Sequence, residues 1–162
     1  MKGPHRIIGF DPGYGRLGFG VIAVSARFEP TLVRCGVITT SKDMAQEERL
    51  REIATDVRAI IEKEKPDVVM LEDLFFAKSV TTALKVAEVR GVLQLIAADF
   101  GLPVFNIKPI EVKVALTGYG KADKKQMQDM VALTLKLPHP PSPDDAADAV
   151  AIALAGMGRI GG

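Results

Sequence analysis

Two short apolar runs in this sequence each end in an acidic residue. Residues 7–10 (IIGF) are followed by Asp11, and residues 68–71 (VVML) are followed by Glu72. An apolar run of this length, closed by turn residues, is typical of a β-strand buried on both faces. In open α/β sheets, ligands bind beyond the carboxyl ends of such strands, so both acids are candidates for a site. For Asp11, a turn-capping role in its Asp-Pro-Gly bend is the alternative.

A third group of acids begins the last helix that the sequence predicts. Asp144 and Asp145 fall in its first turn, where the helix dipole favours acids without any function. Asp148 is different, because every other residue from 146 to 155 is Ala, Val, Ile or Leu, which predicts a buried helix. A buried carboxylate needs a partner, and no Lys, Arg or His lies within one turn of Asp148 in the sequence.

A bound cation would relieve the repulsion among these acids, which are spaced three and four residues apart on one helix face. Oxygen ligands without cysteine or histidine favour a hard divalent ion, Mg²⁺ or Mn²⁺. Carboxylates from two strand ends and one helix suffice for two ions about 3.5–4 Å apart. Such a pair activates an attacking water and stabilises the leaving 3′ oxygen, which is the chemistry of phosphodiester hydrolysis. Spacing alone leaves the choice between Asp144 and Asp145 open.

The elements that position these acids follow from the hydrophobic pattern. Strands at residues 17–24 and 31–39 come after the first strand and are joined by short turns, which predicts a three-stranded antiparallel meander. An amphipathic helix at residues 44–65 then leads to the strand that ends at Glu72. A strand–helix–strand crossover makes the outer strands parallel. As neighbours in the sheet, these strands would project Asp11 and Glu72 from the same edge.

The second half of the chain begins with a long helix at residues 80–100 that has two apolar faces. One face carries Leu84, Gly91, Val92 and Leu95, and the other carries Val86, Val89, Leu93 and Ile96. We expect one face to cover the sheet and the other to meet a second copy in a symmetric dimer; burial of both within the monomer is the alternative. The remaining predicted elements are a strand at 102–107 and helices at 109–116, 124–137 and 142–156, with Asp123 and Ser142 as the N-caps of the last two.

The composition is that of an ordinary globular protein. The 162 residues, 48% apolar and 25% charged, fit a single domain over residues 1–162. No apolar run approaches the roughly 20 residues that span a bilayer, and the N-terminus lacks a signal-peptide core, so we expect a cytoplasmic protein without a membrane partner. Cys35 is the only cysteine, which excludes a disulfide framework. The net charge of +1 gives no global sign of nucleic-acid binding.

Motifs along almost the whole chain resemble those of the RuvC-type Holliday-junction resolvases. They occur in order, as GFDPGYGRLGFG, LEDLFFAKSVTTALKVAEVRG, LPVFNIKPIEVK, GKADKKQMQDMV and PDDAADAVAIA. The resemblance implies an α/β, RNase H-like fold, a five-stranded mixed sheet with three antiparallel and two parallel strands, flanked by helices. It also implies a homodimer that resolves four-way DNA junctions by symmetric, divalent-metal-dependent hydrolysis, and a branch-migration helicase complex as a partner.

By this resemblance, Asp11, Glu72, Asp145 and Asp148 match the family's catalytic, metal-binding acids. The Asp-Ala-Ala-Asp match favours Asp145 over Asp144, although some relatives carry histidine at that place. The glycines that follow Asp11 permit close approach of another backbone or a ligand. We expect them to leave room for a phosphate backbone beside the acid.

The resemblance also implies DNA contacts. Phe75 matches a phenylalanine that contacts bases at the junction, and ring stacking tolerates any base; core packing of the Phe-Phe pair is the alternative. Lys113 and Lys124 match functionally important basic residues in relatives, and Lys121 and Lys125 lie close to them in the sequence. Such lysines contact phosphates without reading sequence; an ordinary solvated side chain is the alternative for each.

Three other interpretations use the same residues. An ATP-binding protein of the actin and sugar-kinase type also has Asp-x-Gly after its first strand, but it requires two such domains, for which 162 residues leave no room. An RNase H-like nuclease that acts on RNA–DNA hybrids or on other branched nucleic acids stays open. A non-catalytic junction-binding protein is disfavoured by the complete set of acids.

Overall fold

The computed structural model describes residues 5–73 and 79–160. Within these residues the chain forms five strands and six helices. They are β1 (His5–Pro12), β2 (Arg16–Val24), β3 (Pro30–Thr39), α1 (Gln46–Glu64), β4 (Val68–Glu72), α2 (Val80–Asp99), β5 (Val104–Ile107), α3 (Pro109–Thr117), α4 (Lys124–Thr134), α5 (Asp144–Ala155) and α6 (Met157–Ile160). The predicted strands and long helices are all present, with boundaries within three residues of the predicted ones.

The five strands form one mixed sheet in the order β3-β2-β1-β4-β5. β2 pairs antiparallel with both β1 and β3, whereas β4 pairs parallel with β1 and with β5. The crossover through α1 therefore places β4 directly beside β1, as the strand–helix–strand pattern predicts. The expected sheet of a three-stranded meander plus two parallel strands is confirmed.

Helices cover the sheet on both faces, because successive residues of each strand point to opposite sides. On one face, Ile8 and Phe10 of β1 join a core with apolar residues of α1 and α2. On the other face, Ile7 and Met70 join a core with apolar residues of α3, α4 and α5. α5 lies against β1 and β2 on this second face, so its first turn reaches the edge where β1 ends.

α2 buries one apolar face and exposes another. Val89, Leu93 and Ile96 belong to the core beneath the sheet. Leu84 and Leu95 are 57% and 60% exposed. These two leucines belong to one of the two predicted apolar faces, and that face is the one left available to a partner.

Gly91 lies between the two exposed leucines along α2, where a side chain added to it would meet no atom within 4 Å. Across residues 5–73 and 79–160, no helix combines the length and apolar character that crossing a bilayer requires.

The start of α5 differs from the prediction. Pro143, not Ser142, occupies the N-cap position, with an extended backbone at φ −73° and ψ −178°. Its carbonyl oxygen accepts hydrogen bonds from the N–H groups of Ala146 and Ala147 at 3.0 and 3.2 Å. Because the helix begins at Asp144, Ser142 lies one residue too early for its hydroxyl to cap it. At α4 the expected cap is present, since the Asp123 carboxylate accepts a hydrogen bond from the N–H of Gln126 at 2.8 Å.

Candidate active site

Two acids meet at the edge of the sheet where β1 and β4 end. The parallel register pairs Phe10 with Leu71, so Asp11 and Glu72, the next residue of each strand, lie side by side at this edge. Their carboxyl groups lie close enough to hydrogen-bond to each other. Since a hydrogen bond between two carboxyl groups requires a proton, the metal-free pair holds one at a pH below the raised pKa of Asp11.

The first two turns of α5 bring two more acids to this edge. Carboxylate oxygens of Asp11, Asp145 and Asp148 all lie within 4.8 Å of one another. Glu72 lies next to this group, because its carboxyl group contacts that of Asp11. The structure thus brings together the four acids that the resemblance assigns to catalysis, from two strands and one helix.

The glycines of β1 and β2 explain why α5 approaches the sheet so closely. A Cβ atom at Gly20 would lie 2.7 Å from the backbone nitrogen of Val150, and one at Gly18 would collide with the carbonyl group of Asp145. These glycines therefore make room for the backbone of α5. The expectation that they hold space open for a phosphate backbone is wrong for Gly18 and Gly20, because the helix fills that space.

Burial and mutual repulsion raise the pKa values of three of these acids, Asp11, Glu72 and Asp148. Burial, with the adjacent Glu72 carboxylate, raises the pKa of Asp11 to about 8. Burial also raises the pKa values of Glu72 and Asp148, and for Asp148 the Lys124 ammonium opposes this rise. A bound divalent cation would oppose these shifts, because its charge stabilises the ionised carboxylates. Oxygen-only ligands of this number suit a hard divalent cation.

Asp144 and Asp145 have different surroundings although they are adjacent in sequence. Asp145 belongs to the acidic group, and one of its oxygens also lies 2.9 Å from Nε of Arg16. Asp144 points elsewhere: its carboxylate lies 2.9 Å from Nζ of Lys124 and accepts a hydrogen bond from Gln128 at 3.1 Å. The Lys124 ammonium also holds the pKa of Asp144 below its usual range. The geometry thus separates two acids that spacing alone leaves equivalent.

Sequence reasoning missed two arginines that contact these acids. Arg16 pairs with Asp145, and Arg90 of α2 is 8% exposed beneath the end of β4. One Arg90 nitrogen donates to the backbone carbonyl of Glu72 at 3.0 Å, and another donates to Oδ1 of Asn106 on β5 at 2.6 Å. Its charge also opposes the rise in the pKa of Glu72. The signal in the sequence was a single arginine within the apolar stretch of α2.

The predicted basic residues divide into two pairs. Lys113 and Lys124 line the same cavity of about 350 Å³ as Asp11, Glu72 and Asp148. Lys121 and Lys125 are exposed and do not line it, and Nζ of Lys125 lies 3.2 Å from the carboxylate of Asp129. Phe75 lies outside the described residues.

A mixed sheet of this order, with carboxylates from β1, β4 and α5 at one edge, defines a class: nucleases of the RNase H-like fold. The chain belongs to the RuvC family, because the family model described as crossover junction endodeoxyribonuclease RuvC matches residues 7–156. That match covers β1 from residue 7 onwards, the other four strands and the five longer helices.

Individual relatives agree with this membership. The crossover junction endodeoxyribonuclease RuvC of Roseiflexus sp. (strain RS-1) is 52% identical over 149 residues, which cover 92% of this chain and 88% of the relative. That of Thermotoga maritima is 49% identical over 151 residues, covering 93% and 89%. The solved structure of Thermus thermophilus RuvC in complex with Holliday junction substrate superposes with a TM-score of 0.90 at 34% identity, covering 97% of this chain and 96% of that one.

Proposed function

We propose that this protein resolves four-way DNA junctions by divalent-metal-dependent hydrolysis of one phosphodiester bond in each of two strands. The observation that carries the proposal is the convergence of the Asp11, Asp145 and Asp148 carboxylates within 4.8 Å of one another. Membership of the RuvC family supports DNA as the substrate. The Thermus thermophilus relative, solved with a Holliday junction, supports the four-way junction in particular.

In this proposal Asp11, Glu72, Asp145 and Asp148 are the catalytic residues and hold two ions, Mg²⁺ or Mn²⁺. When bound, such ions supply the positive charge that activates a water and stabilises the leaving 3′ oxygen. To hold them, Asp11 and Glu72 would have to release the proton between them, because metal ligands must be deprotonated. Asp145 would likewise exchange its contact with Arg16 for the cation, which would free the guanidinium for a phosphate oxygen.

The cavity beside the acids supplies the DNA contacts. We assign Lys113 and Lys124 to phosphates next to the reacting one, because both line the cavity that holds the acids. Lys121 and Lys125 extend this positive charge outwards along the exposed surface. A stacking role for Phe75 against an unpaired base follows from the resemblance alone.

Symmetric cleavage requires two active sites, so the proposal includes a homodimer. The exposed Leu84 and Leu95 on α2, 57% and 60% accessible, support a contact between two copies of this helix. A C₂ dimer would place the same helix face on both sides of the interface. The branch-migration helicase complex and the cytoplasmic location stay predictions from the sequence.

One experiment separates this proposal from its alternatives. Cleavage of a four-way junction, a plain duplex and an RNA–DNA hybrid would be measured with Mg²⁺, with Mn²⁺ and with EDTA. We expect paired nicks in the junction only, and only with a divalent metal. Preferential cleavage of the hybrid would indicate a nuclease for another substrate, and binding without cleavage under every condition would indicate a non-catalytic junction-binding protein.

The Asp11→Asn variant tests the role of the acids in the same assay. We expect it to abolish cleavage and to retain junction binding, because the carboxylate holds the metal and the fold does not depend on it. Asp56→Asn, an exposed change on α1, is the matched control and should cleave normally. Metal-dependent nicking by Asp11→Asn at the normal rate would contradict the assignment.

A further inference from the structure

A group of cationic and aromatic side chains lies on the far side of the Asp11 loop from α5. Tyr14 projects from this loop, 40% exposed, and two cations flank its ring. The guanidinium carbon of Arg49 lies 4.9 Å from the ring centre, and Nζ of Lys85 lies 5.0 Å from it and 3.5 Å from the phenol oxygen. We call Tyr14, Arg49 and Lys85 the Tyr14 cluster.

The cluster carries two positive charges without a matching acid. Within residues 5–73 and 79–160, neither Arg49 nor Lys85 forms a salt bridge. Glu88 is one turn from Lys85 on α2, but its carboxylate accepts a hydrogen bond from Gln46 at 3.3 Å. Arg49 is only 5% exposed and donates to the Thr40 hydroxyl at 3.1 Å. A desolvated guanidinium that lacks a carboxylate is costly for a structural role alone.

The two cations also change the chemistry of the phenol. They lower the pKa of Tyr14, chiefly through the hydrogen-bonding contact with Arg49 and then that with Lys85. A more acidic phenol is a stronger hydrogen-bond donor to an anion. The exposed phenol and the ammonium beside it thus present donors to the solvent, with the buried guanidinium behind them.

The backbone of the loop places this cluster next to the active site. The N–H of Gly13 donates to the carbonyl of Arg16 at 2.8 Å, which closes a turn between Asp11 and β2. The side chain of Arg16 extends from this turn toward Asp145, whereas the side chain of Tyr14 extends toward α1 and α2. A DNA strand with one phosphate at the acids would therefore bring a neighbouring phosphate to the other side of the turn.

We propose that Tyr14 and Lys85 bind a backbone phosphate adjacent to the one that is cleaved, and that Arg49 is a positioning residue for the Tyr14 ring. The proposal rests on the proposed function, because it requires DNA at the acidic group. It differs from the contacts assigned to Lys113 and Lys124, which line the cavity on the α3 and α4 side. The scissile strand would then be held on both sides of the reacting phosphate.

The salt dependence of junction binding, measured in EDTA so that no cleavage occurs, tests this subsite. Each phosphate contact by a lysine contributes about 0.9 to the slope of log K against log salt, so Lys85→Gln should lower the slope by about 0.9 per protomer bound. Tyr14→Phe removes a donor but no charge, so it should weaken binding with the slope unchanged. Lys63→Gln, an exposed change near the end of α1, should alter neither quantity, and melting temperatures confirm that the variants fold.

A methylphosphonate scan locates the contact. Junctions with a single neutral methylphosphonate at successive positions around the cut would be bound by the unmodified protein and by Lys85→Gln. We expect one position, next to the cut, where the substitution weakens the unmodified protein but leaves Lys85→Gln unaffected. If the unmodified protein and Lys85→Gln lose the same affinity at every methylphosphonate position, and their salt slopes are equal, the subsite is wrong but the proposed function stands. Failure of the unmodified protein to bind junctions would overturn the proposed function and the subsite with it.

Discussion

At the scale of single residues, the neighbouring acids Asp144 and Asp145 differ in what they contact. Asp145 faces Asp11 and Asp148, whereas Asp144 is held by Lys124 at 2.9 Å. We expect Asp145→Asn to reduce kcat for junction cleavage by about 100-fold or more, because a metal ligand supports several kcal/mol of charge stabilisation and each 1.4 kcal/mol is tenfold. Asp144→Asn, the matched control, should lose less than about tenfold. Single-turnover rates at saturating metal measure both, and equal losses would contradict the separation.

The shared proton of Asp11 gives the metal-free protein a specific pH dependence. The pKa of Asp11 is about 8 in the fold against 3.8 as its ordinary value, so the folded state holds a proton that the unfolded chain releases between these pH values. The contribution of Asp11 to the free energy of unfolding is therefore fully present below pH 4 and is lost as pH rises to about 8. Each pKa unit is worth about 1.4 kcal/mol, so a shift of this size makes the loss a few kcal/mol.

Thermal unfolding in EDTA between pH 5 and pH 9 measures this loss. The melting temperature of the unmodified protein should fall across that range, whereas that of Asp11→Asn should fall less, because the amide does not titrate. Excess Mg²⁺ should restore the melting temperature of the unmodified protein at pH 9, since it neutralises the ionised acids. If the melting temperatures of the unmodified protein and of Asp11→Asn fall in parallel with pH in EDTA, Asp11 does not carry this proton.

At the scale of elements, the packing of α5 on glycine residues of the sheet sets the geometry of the acids. A Cβ atom at Gly20 would lie 2.7 Å from a backbone atom of Val150, which cannot rotate away. We expect Gly20→Ala to destabilise the protein by about 1–3 kcal/mol, the usual cost of overpacking. We also expect it to weaken Mn²⁺ binding about tenfold, because α5 carries Asp145 and Asp148 away from Asp11.

Urea unfolding and calorimetric Mn²⁺ titration check the two effects of Gly20→Ala. The control is Gly158→Ala in α6, where an added Cβ atom meets nothing within 4 Å. It should change neither quantity. Mn²⁺ affinity that stays unchanged in Gly20→Ala would show that α5 does not need this close approach to position its acids.

Most of the strands and helices, and the way they connect, could be predicted from the hydrophobic pattern of the sequence. The crossover from β1 through α1 to β4 makes the two strands parallel, so the sequence alone places Asp11 and Glu72 at one edge of the sheet. The buried character of α5 likewise singled out Asp148. These inferences depend on periodicity and connection rules, which are local properties of the chain.

Most of what the sequence did not predict has one physical cause. The contacts of Arg16 with Asp145, of Arg90 with Asn106 and of Lys85 with Tyr14 join segments that are distant in sequence, and no local pattern encodes them. The role of Gly18 was misjudged for the same reason, because the backbone that packs on it belongs to α5. The N-cap of α5 has a different, local cause: the hydrophobic pattern leaves a helix boundary uncertain by one or two residues, and the helix begins at Asp144 with Pro143 as its N-cap.

At the scale of the whole molecule, the net charge is only +1, but acidic and basic side chains are gathered into separate groups. Four acids gather at the sheet edge, Lys113 and Lys124 line the same cavity, and the Tyr14 cluster lies across the Asp11 loop. Positive groups on two sides of an acidic centre would guide a phosphate backbone across it, and the bound cations would offset its repulsion. Local charge therefore supports DNA binding although the total does not.

The proposed homodimer makes a prediction about the products of cleavage. α2 exposes Leu84 and Leu95 at 57% and 60%, and in a symmetric dimer each leucine would meet the same helix of the partner. We expect Leu84→Asp to convert the dimer to a monomer, because two charges would be desolvated at one interface. Sedimentation velocity measures the change, and melting temperature confirms folding. Leu133→Asp on α4, where the leucine is 70% exposed, is the matched control and should leave the dimer intact.

A monomer retains one complete set of acids but loses the coupling between two cuts. On a supercoiled plasmid that extrudes a cruciform, the dimer should cut both strands during one encounter and release linear DNA. Leu84→Asp should instead yield nicked circles, since the first cut relaxes the plasmid and removes the junction before a second molecule binds. Linear product at the normal rate from a protein that sediments as a monomer would contradict the α2 interface, and a dimer that persists in Leu84→Asp would place the interface on another face.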